Sequence, residues 1–458
     1  MITLFRAEQT YKLAELKERM REHIRQLPQK VSFIGTPTKV LRFELACEPV
    51  NILSWLHNNQ LGLEKTYWSD RANAFEMGAI GSADIISGND SLDHQSLFEY
   101  MQDRLSSDNP HLRFYGGVDF FADKAEGEWQ ALGSFRFIVP QFEFHQTPQQ
   151  SVFAFNIRIA NVNEEHIREI LSTFEKMDFS ADTVYRKVPV LLRRADFPDE
   201  AQWLKMFNSA HGKFEKIVLA RKTVFDFDMD IRPVALLKHL KDMTPNCFHF
   251  CFQPHPGYGF LGASPERLFK RTEGAIESEA LAGTIGRSID PDEDAALTQK
   301  LLRSAKNNSE HDYVVTDLKN KLSRLCSELR QDPRTQIMKL DNGQHLMTRF
   351  EGKLRPKVYD EDILRSLHPT PAVAGCPQEK ALKAIAELEP FKRGWYAAPV
   401  GYVGCDTTEF VVAIRSGLVN KNQLSLYAGA GIVEGSTAQD EWDEIENKIG
   451  SFIKVFKR

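Results

Sequence analysis

No stretch of this chain approaches the roughly 18 consecutive apolar residues of a membrane-spanning helix. Cysteine is scarce, with Cys47, Cys247, Cys251, Cys326, Cys376 and Cys405 scattered and without the spacing of a disulfide framework. Charge of one sign never gathers into a block, and the formal net charge of −5 is mild, which argues against a nucleic-acid partner. Internal repeats and low-complexity tracts are missing as well. The opening Met1-Ile-Thr-Leu-Phe-Arg6 runs into charged residues rather than the apolar centre of a secretory leader. The expectation is a reduced, cytoplasmic protein that neither spans a membrane nor binds nucleic acid. What is present is 42% hydrophobic and 26% charged residues over 458 positions, enough for a large core. Length alone suggests about two or three domains.

Hydrophobic spacing divides the chain. Leu13, Leu16, Met20, Ile24 and Leu27 recur at helical intervals between charged residues, so 11–27 is expected to form an amphipathic surface helix. From about Val31 to Lys187 the period shortens to strand-like runs, such as Gly133-Ser-Phe-Arg-Phe-Ile-Val139 and 149–158, separated by turn residues. The one compositional break falls near 193–200. Strands are expected again at 216–225 and 247–253, then a long helix from about Asp294 to Leu329. Strands at 410–416 and 423–428 and a terminal helix follow. Strands mixed irregularly with helices indicate an α+β fold rather than a doubly wound parallel sheet.

Two motifs are set aside. Gly257-Tyr-Gly259-Phe-Leu-Gly262 matches a dinucleotide fingerprint by letter, but Pro265 follows closely and no βαβ unit surrounds it. Cys247, His249 and Cys251 alternate along one strand face with no second ligand pair nearby, so packed core is the better interpretation.

Other segments carry chemistry. Period two points Lys216, Val218 and Ala220 to one side of a strand; a lysine there is commonly a solvated edge residue, whereas a buried one can act as a neutral general base. Glu266, after Ser264-Pro265, is either a helix-start glutamate paired with Arg267 or a carboxyl held protonated by apolar neighbours, fit to be an acid. Glu409, Val411, Ala413 and Arg415 alternate, and Arg415 either pairs with Glu409 or grips a ligand carboxylate. His368 lies in the stiff segment Leu367-His-Pro-Thr-Pro371 and either contacts ligand or satisfies backbone groups. Near the end, Glu441, Glu444 and Lys448 share a helical stripe after an expected glycine turn, Gly429-Ala-Gly431. With Glu310 they offer three carboxylates to one Mg²⁺, which commonly takes one or two protein carboxylates directly and keeps waters.

Together these segments closely resemble the chorismate-utilising enzymes, and among them the isochorismate synthases. The likeness runs from about Ala201 to Lys457. It rests on Lys216-Ile-Val-Leu-Ala-Arg221, Ser264-Pro-Glu-Arg-Leu268, Ala280-Leu-Ala-Gly-Thr284, Ser309-Glu-His311, His368-Pro-Thr-Pro371, Ala413-Ile-Arg-Ser416, Gly429-Ala-Gly431 and Glu441-x-x-Glu444-x-x-x-Lys448. In the amino-terminal part, Tyr67-Trp-Ser-Asp-Arg71 resembles the menaquinone-pathway branch. The resemblance implies one large α+β unit, two mostly antiparallel sheets packed together with helices outside. Residues 1–200 would be the amino-terminal half and 201–458 the chorismate-binding catalytic half of one structural domain, fewer than length alone suggests.

It also implies roles. Lys216 would activate the water that attacks C2 of chorismate, and Glu266 would protonate the departing C4 hydroxyl. Glu310 and Glu444, with Glu441 directly or through water, would hold Mg²⁺. Arg415, the Gly429 backbone and Lys448 would grip carboxylates, while Gly283, Thr284 and His368 would line the substrate site. Family members that aminate chorismate carry glutamine where Lys216 stands, and aminodeoxychorismate synthases carry a lysine where this chain has Ala282. Lys216 with Ala282 thus points to water as the nucleophile and to no glutamine amidotransferase subunit. A salicylate synthase and a siderophore-pathway isochorismate synthase are the alternatives.

Overall fold

The computed structural model describes residues 6–31, 39–180, 188–341 and 343–457. The opening residues 1–5, interpreted above as unlike a leader, and the 181–187 end of the strand-rich stretch lie outside the described residues.

The amphipathic pattern near the amino end forms helix Leu13–Val31, and its stripe of Leu16, Met20, Ile24 and Leu27 is almost wholly buried. Most of the remainder is antiparallel sheet; Arg6–Tyr11 and Val40–Cys47 make the one parallel pairing among the described residues. The long strand Phe135–Gln146 is the junction. One edge pairs along its length with Glu76–Gly88; the other pairs first with Arg113–Val118, then with Ser151–Arg158. Two sheets therefore leave from it.

In the first sheet, Glu76–Gly88 leads through Lys65–Ser69, Phe248–His255, Tyr258–Ser264, Ser416–Asn420 and Gln423–Ile432 to Lys216–Phe227 and Leu191–Phe197. In the second, Arg113–Val118 leads through Pro399–Gly404, Thr407–Val412, Arg267–Thr272 and Ala275–Ile285 to Gln344–Leu354. Both sheets mix strands from before and after residue 200. Aromatic side chains join them: Trp68 of the first meets Tyr402 of the second edge-on at 5.9 Å, and Phe137 meets Phe410 at 6.1 Å. Helix Ala305–Leu325 lies on the second sheet and helix Ala438–Lys454 on the first. The α+β expectation is met.

Three local expectations are corrected. The long helix breaks into Pro291–Arg303 and Ala305–Leu325, because Ser304 leaves the helical conformation and its hydroxyl accepts the amide of Asn307; Leu329 belongs to strand Cys326–Gln331. Serine competes with helical hydrogen bonds in this way, and a search for apolar spacing passes over it. The strand expected at 410–416 ends at Val412, and Arg415 adopts a left-handed φ of 51°. The shared face of Glu409 and Arg415 is thereby broken, and Glu409 pairs with Arg267 at 2.9 Å instead. Gly429-Ala-Gly431 is not a turn. It lies within strand Gln423–Ile432, opposite Ala220 to Val218.

Candidate active site

Where the carboxyl-terminal strands of the two sheets face each other, a cavity opens. Val218, Gly429 and Gly431 border it from the first sheet, Ala282, Gly283 and Thr284 from the second, and Glu310, Glu444 and Lys448 from the two helices. Glu266, Arg415, His345 and Tyr396 also border it.

Glu266 stands in the tight link between strands Tyr258–Ser264 and Arg267–Thr272, so it does not start a helix. Its amide donates to Ser264 Oγ at 3.2 Å, and its carbonyl accepts the Val412 amide at 3.1 Å. Arg267 turns away to Glu409 and Glu277. Burial pushes the Glu266 carboxyl up to about 8, with Glu279 reinforcing the shift and Lys216 and Lys448 opposing it. A carboxyl so placed keeps its proton at neutral pH.

Lys216 opens strand Lys216–Phe227, and its side chain is fully buried. Its ammonium lies 3.1 Å from Glu310 Oε1, an ion pair without hydrogen-bond geometry. Gly431 makes this approach feasible, since a Cβ there would lie 2.5 Å from Glu310 Oε1 and 3.2 Å from Lys216 Cε.

Anion-binding groups cluster beside this pair. Lys448 Nζ donates to the Gly429 carbonyl at 2.9 Å and pairs with Glu444 at 2.5 Å. Burial would raise the Glu444 carboxyl, but Lys448, Lys306 and Arg415 together hold it below its ordinary value. Burial lowers the Arg415 guanidinium from its usual range, with Cys247 and then Glu444 among the groups opposing the shift. Across the cavity, the β-bulge at Gly283, with φ of 73°, shifts the register so that Thr284 Oγ1 meets His345 Nδ1 at 3.1 Å. Burial, then Arg415 and Lys448, drive the His345 imidazole down to about 3, so it is neutral.

The three candidate metal-binding carboxylates all act electrostatically on a lysine that the sequence did not single out. Lys306 Nζ bonds Glu441 at 2.6 Å, and Glu441, Glu444 and Glu310 all raise its ammonium against the effect of burial. Glu310 and Glu444 border the cavity; Glu441 is buried just behind it. The donor set is all carboxylate oxygen, which suits Mg²⁺, but the three carboxylates do not gather within ligating distance of one another: Lys306 pairs with Glu441, Lys448 with Glu444 and Lys216 with Glu310. A separate group with metal-like spacing, Glu44, His111 and His145, is occupied by the buried Arg42 guanidinium, which bonds Glu44, Glu143 and His145.

One assignment is corrected. His368 does not border the cavity. It ends helix Asp360–Leu367, its Nε2 lies 3.1 Å from the Phe120 carbonyl, and burial drives its imidazole down to about 3. It satisfies a backbone carbonyl. Tyr396, His345, Lys306 and Gly431 were missed: a lone tyrosine or histidine has no distinctive spacing, and Lys306 acquires meaning only through glutamates far along the chain. Cys247, His249 and Cys251 are buried, and His249 bonds Ser69 and Thr244 in place of a metal.

Residues 29–457 match the protein family described as chorismate binding enzyme. The chain therefore belongs to the chorismate binding enzymes. It is 35% identical over 404 residues to the chloroplastic isochorismate synthase of Catharanthus roseus, covering 85% of this chain and 70% of that protein. It is 32% identical to the isochorismate synthase MenF of Bacillus subtilis, covering 85% and 87%. The solved structure of MenF, the menaquinone-specific isochorismate synthase from Escherichia coli, superimposes with a TM-score of 0.84 at 26% identity, covering 97% of this chain and 99% of that one. The fold and these relatives set the chain among the isochorismate synthases of the family. Among the described residues, no helix is long and apolar enough to cross a membrane.

Proposed function

We propose that this protein is a Mg²⁺-dependent isochorismate synthase, an isomerase that converts chorismate to isochorismate and serves menaquinone biosynthesis. The observation that carries the proposal is a carboxyl held protonated, Glu266, on a cavity also bordered by Gly431, where a Cβ would lie 3.2 Å from Cε of the completely buried Lys216. The MenF names of relatives that match over most of the chain support the pathway.

In the proposed reaction Lys216 is the base that takes a proton from water while the water oxygen bonds to C2. The electron pair moves through the ring diene, the C4–O bond breaks, and the hydroxyl departs with the Glu266 proton as water. Each of these proton transfers is worth about 10²–10⁴-fold. Arg415, Lys448 and the Gly429 backbone hold the substrate carboxylates, and Gly283 and Thr284 set the opposite wall. Glu310 and Glu444, with Glu441 directly or through water, would hold Mg²⁺, which would supply positive charge to offset the substrate's carboxylates. The scattered free thiols suit a reducing compartment, and we place the enzyme in the cytoplasm. A base that delivers water needs no ammonia-producing subunit.

The test is to incubate purified protein with chorismate and Mg²⁺ and separate the products. Isochorismate alone, lost with EDTA and restored by Mg²⁺, is expected. Salicylate with pyruvate, or anthranilate when ammonia is supplied, would overturn the assignment, and indifference to chelator would overturn the metal site.

A further inference from the structure

One segment carries no role so far: the turn that follows strand Lys65–Ser69 in the amino-terminal half. Asp70 builds it, accepting the Ala74 amide on its carboxylate at 2.7 Å while its own amide donates to the Phe75 carbonyl at 3.0 Å. The turn sends Arg71 across to the other half of the chain. There Arg71 Nη1 donates to the Pro265 carbonyl at 2.9 Å and to Glu279 Oε2 at 2.9 Å, while Nη2 bonds Glu279 Oε1. Its guanidinium carbon lies 5.3 Å from the centre of the Phe248 ring. Glu279 is buried on strand Ala275–Ile285, three residues before Ala282 in the cavity wall.

We propose that Arg71 is a positioning residue for the acid Glu266, locking the peptide before it to the cavity-lining strand. The Pro265 carbonyl belongs to the planar peptide unit that ends at the Glu266 nitrogen, so holding that oxygen fixes the plane from which Glu266 departs. Three tethers then surround the acid: Arg71 on the Pro265 carbonyl, Ser264 Oγ on the Glu266 amide, and the Val412 amide on the Glu266 carbonyl. Arg71 is the tether that comes from the amino-terminal half. A guanidinium suits the task because its fork binds the carboxylate through two nitrogens and still reaches the carbonyl, which an ammonium cannot reproduce.

Arg71 also compensates the Glu279 charge. Lys216, Lys448, Glu279 and Tyr396 act electrostatically on Glu266, while Glu310, His345, Arg415 and Glu444 border the same cavity; of these, Glu279 is the carboxylate that favours the protonated acid. Glu279 is held by Arg71 and, less closely, by Arg267 at 3.5 Å. Without Arg71 the Glu279 charge is less compensated, so Glu266 should hold its proton to higher pH. With Glu279→Gln that charge is gone, so Glu266 should lose its proton at lower pH.

The inference rests on the assignment of Glu266 as the acid. The experiment measures kcat, KM for chorismate and the alkaline limb of kcat/KM for wild type, Arg71→Met, Arg71→Lys and Glu279→Gln, with thermal melts. Arg71→Met and Arg71→Lys should each lower kcat by about tenfold or more with KM nearly unchanged, since misplacement of a catalytic group by about 1 Å costs up to roughly 10²-fold. The alkaline limb should move up in Arg71→Met, stay near wild type in Arg71→Lys and move down in Glu279→Gln. A folded Arg71→Met with wild-type kcat and an unmoved limb overturns the inference. If that variant does not fold, wild-type kcat in Arg71→Lys or an unmoved limb in Glu279→Gln overturns it. Failure of the underlying assignment looks different: wild type makes no isochorismate, or Glu266→Gln is fully active.

Discussion

In the proposed mechanism two side chains, Glu266 and Lys216, carry the chemistry, and their surroundings favour those roles. Glu266 sits among buried neighbours with its carboxyl pushed up to about 8. The acid form is populated below that value and lost as pH rises through it, so kcat/KM should fall on the alkaline side near pH 8. Glu266→Gln removes the proton altogether and should be inactive across the range; an amide variant with wild-type turnover would place the acid elsewhere. Lys216→Ala should abolish hydration while chorismate binding stays within a few-fold, because the proposal assigns binding to Arg415, Lys448 and the Gly429 backbone; retained turnover at neutral pH contradicts the base assignment. Both residues could be singled out as candidates in the sequence because each sits in a short, ordered motif, and the structure places Glu266 on the cavity and Lys216 beside Gly431. His368 sits in one too, yet its partner is the Phe120 carbonyl, a contact 248 positions away that no local pattern reveals.

The strands and the helices that cover them decide which residues meet. Strand Gln423–Ile432 brings Gly431 against the Lys216–Glu310 pair, and the missing side chain is what allows the contact. In Gly431→Ala the new methyl displaces the Glu310 carboxylate, the movable end of a side chain, more readily than backbone. The fold should survive while kcat falls by about 10–100-fold, as a displacement of roughly 1 Å at a reacting centre costs; melting temperature and kcat measured together check this. Helix and strand identities were largely legible from hydrophobic period. Their ends were not. Ser304 divides a helix whose apolar stripe passes through it, and Arg415 leaves the extended conformation at a place where alternation predicts strand. Both interruptions come from backbone geometry, to which apolar spacing is blind.

At the scale of the molecule, the amino-terminal and carboxyl-terminal halves share both sheets. Strand Lys65–Ser69 pairs with Phe248–His255 in one, and Arg113–Val118 pairs with Pro399–Gly404 in the other. Neither half can complete a sheet without the other, so we expect a single cooperative unfolding transition by heat or denaturant; two separated transitions would show that the halves fold independently. Fold class could be inferred from the irregular mixture of strands and helices. The two-sheet arrangement came only through the family resemblance, because pairing across 180 or more positions leaves no periodic trace. The same interleaving brings Arg71 to the peptide before Glu266, on a cavity lined by the charged groups Glu266, Glu310, Arg415, Glu444 and Lys448. The central claim is that water adds at C2 while the C4 hydroxyl leaves. Running the reaction in ¹⁸O-enriched water tests it most directly: isochorismate formed early should carry one solvent oxygen on its C2 hydroxyl, and product without the label would mean that the hydroxyl migrates within the substrate and that Lys216 and Glu266 do not act as assigned.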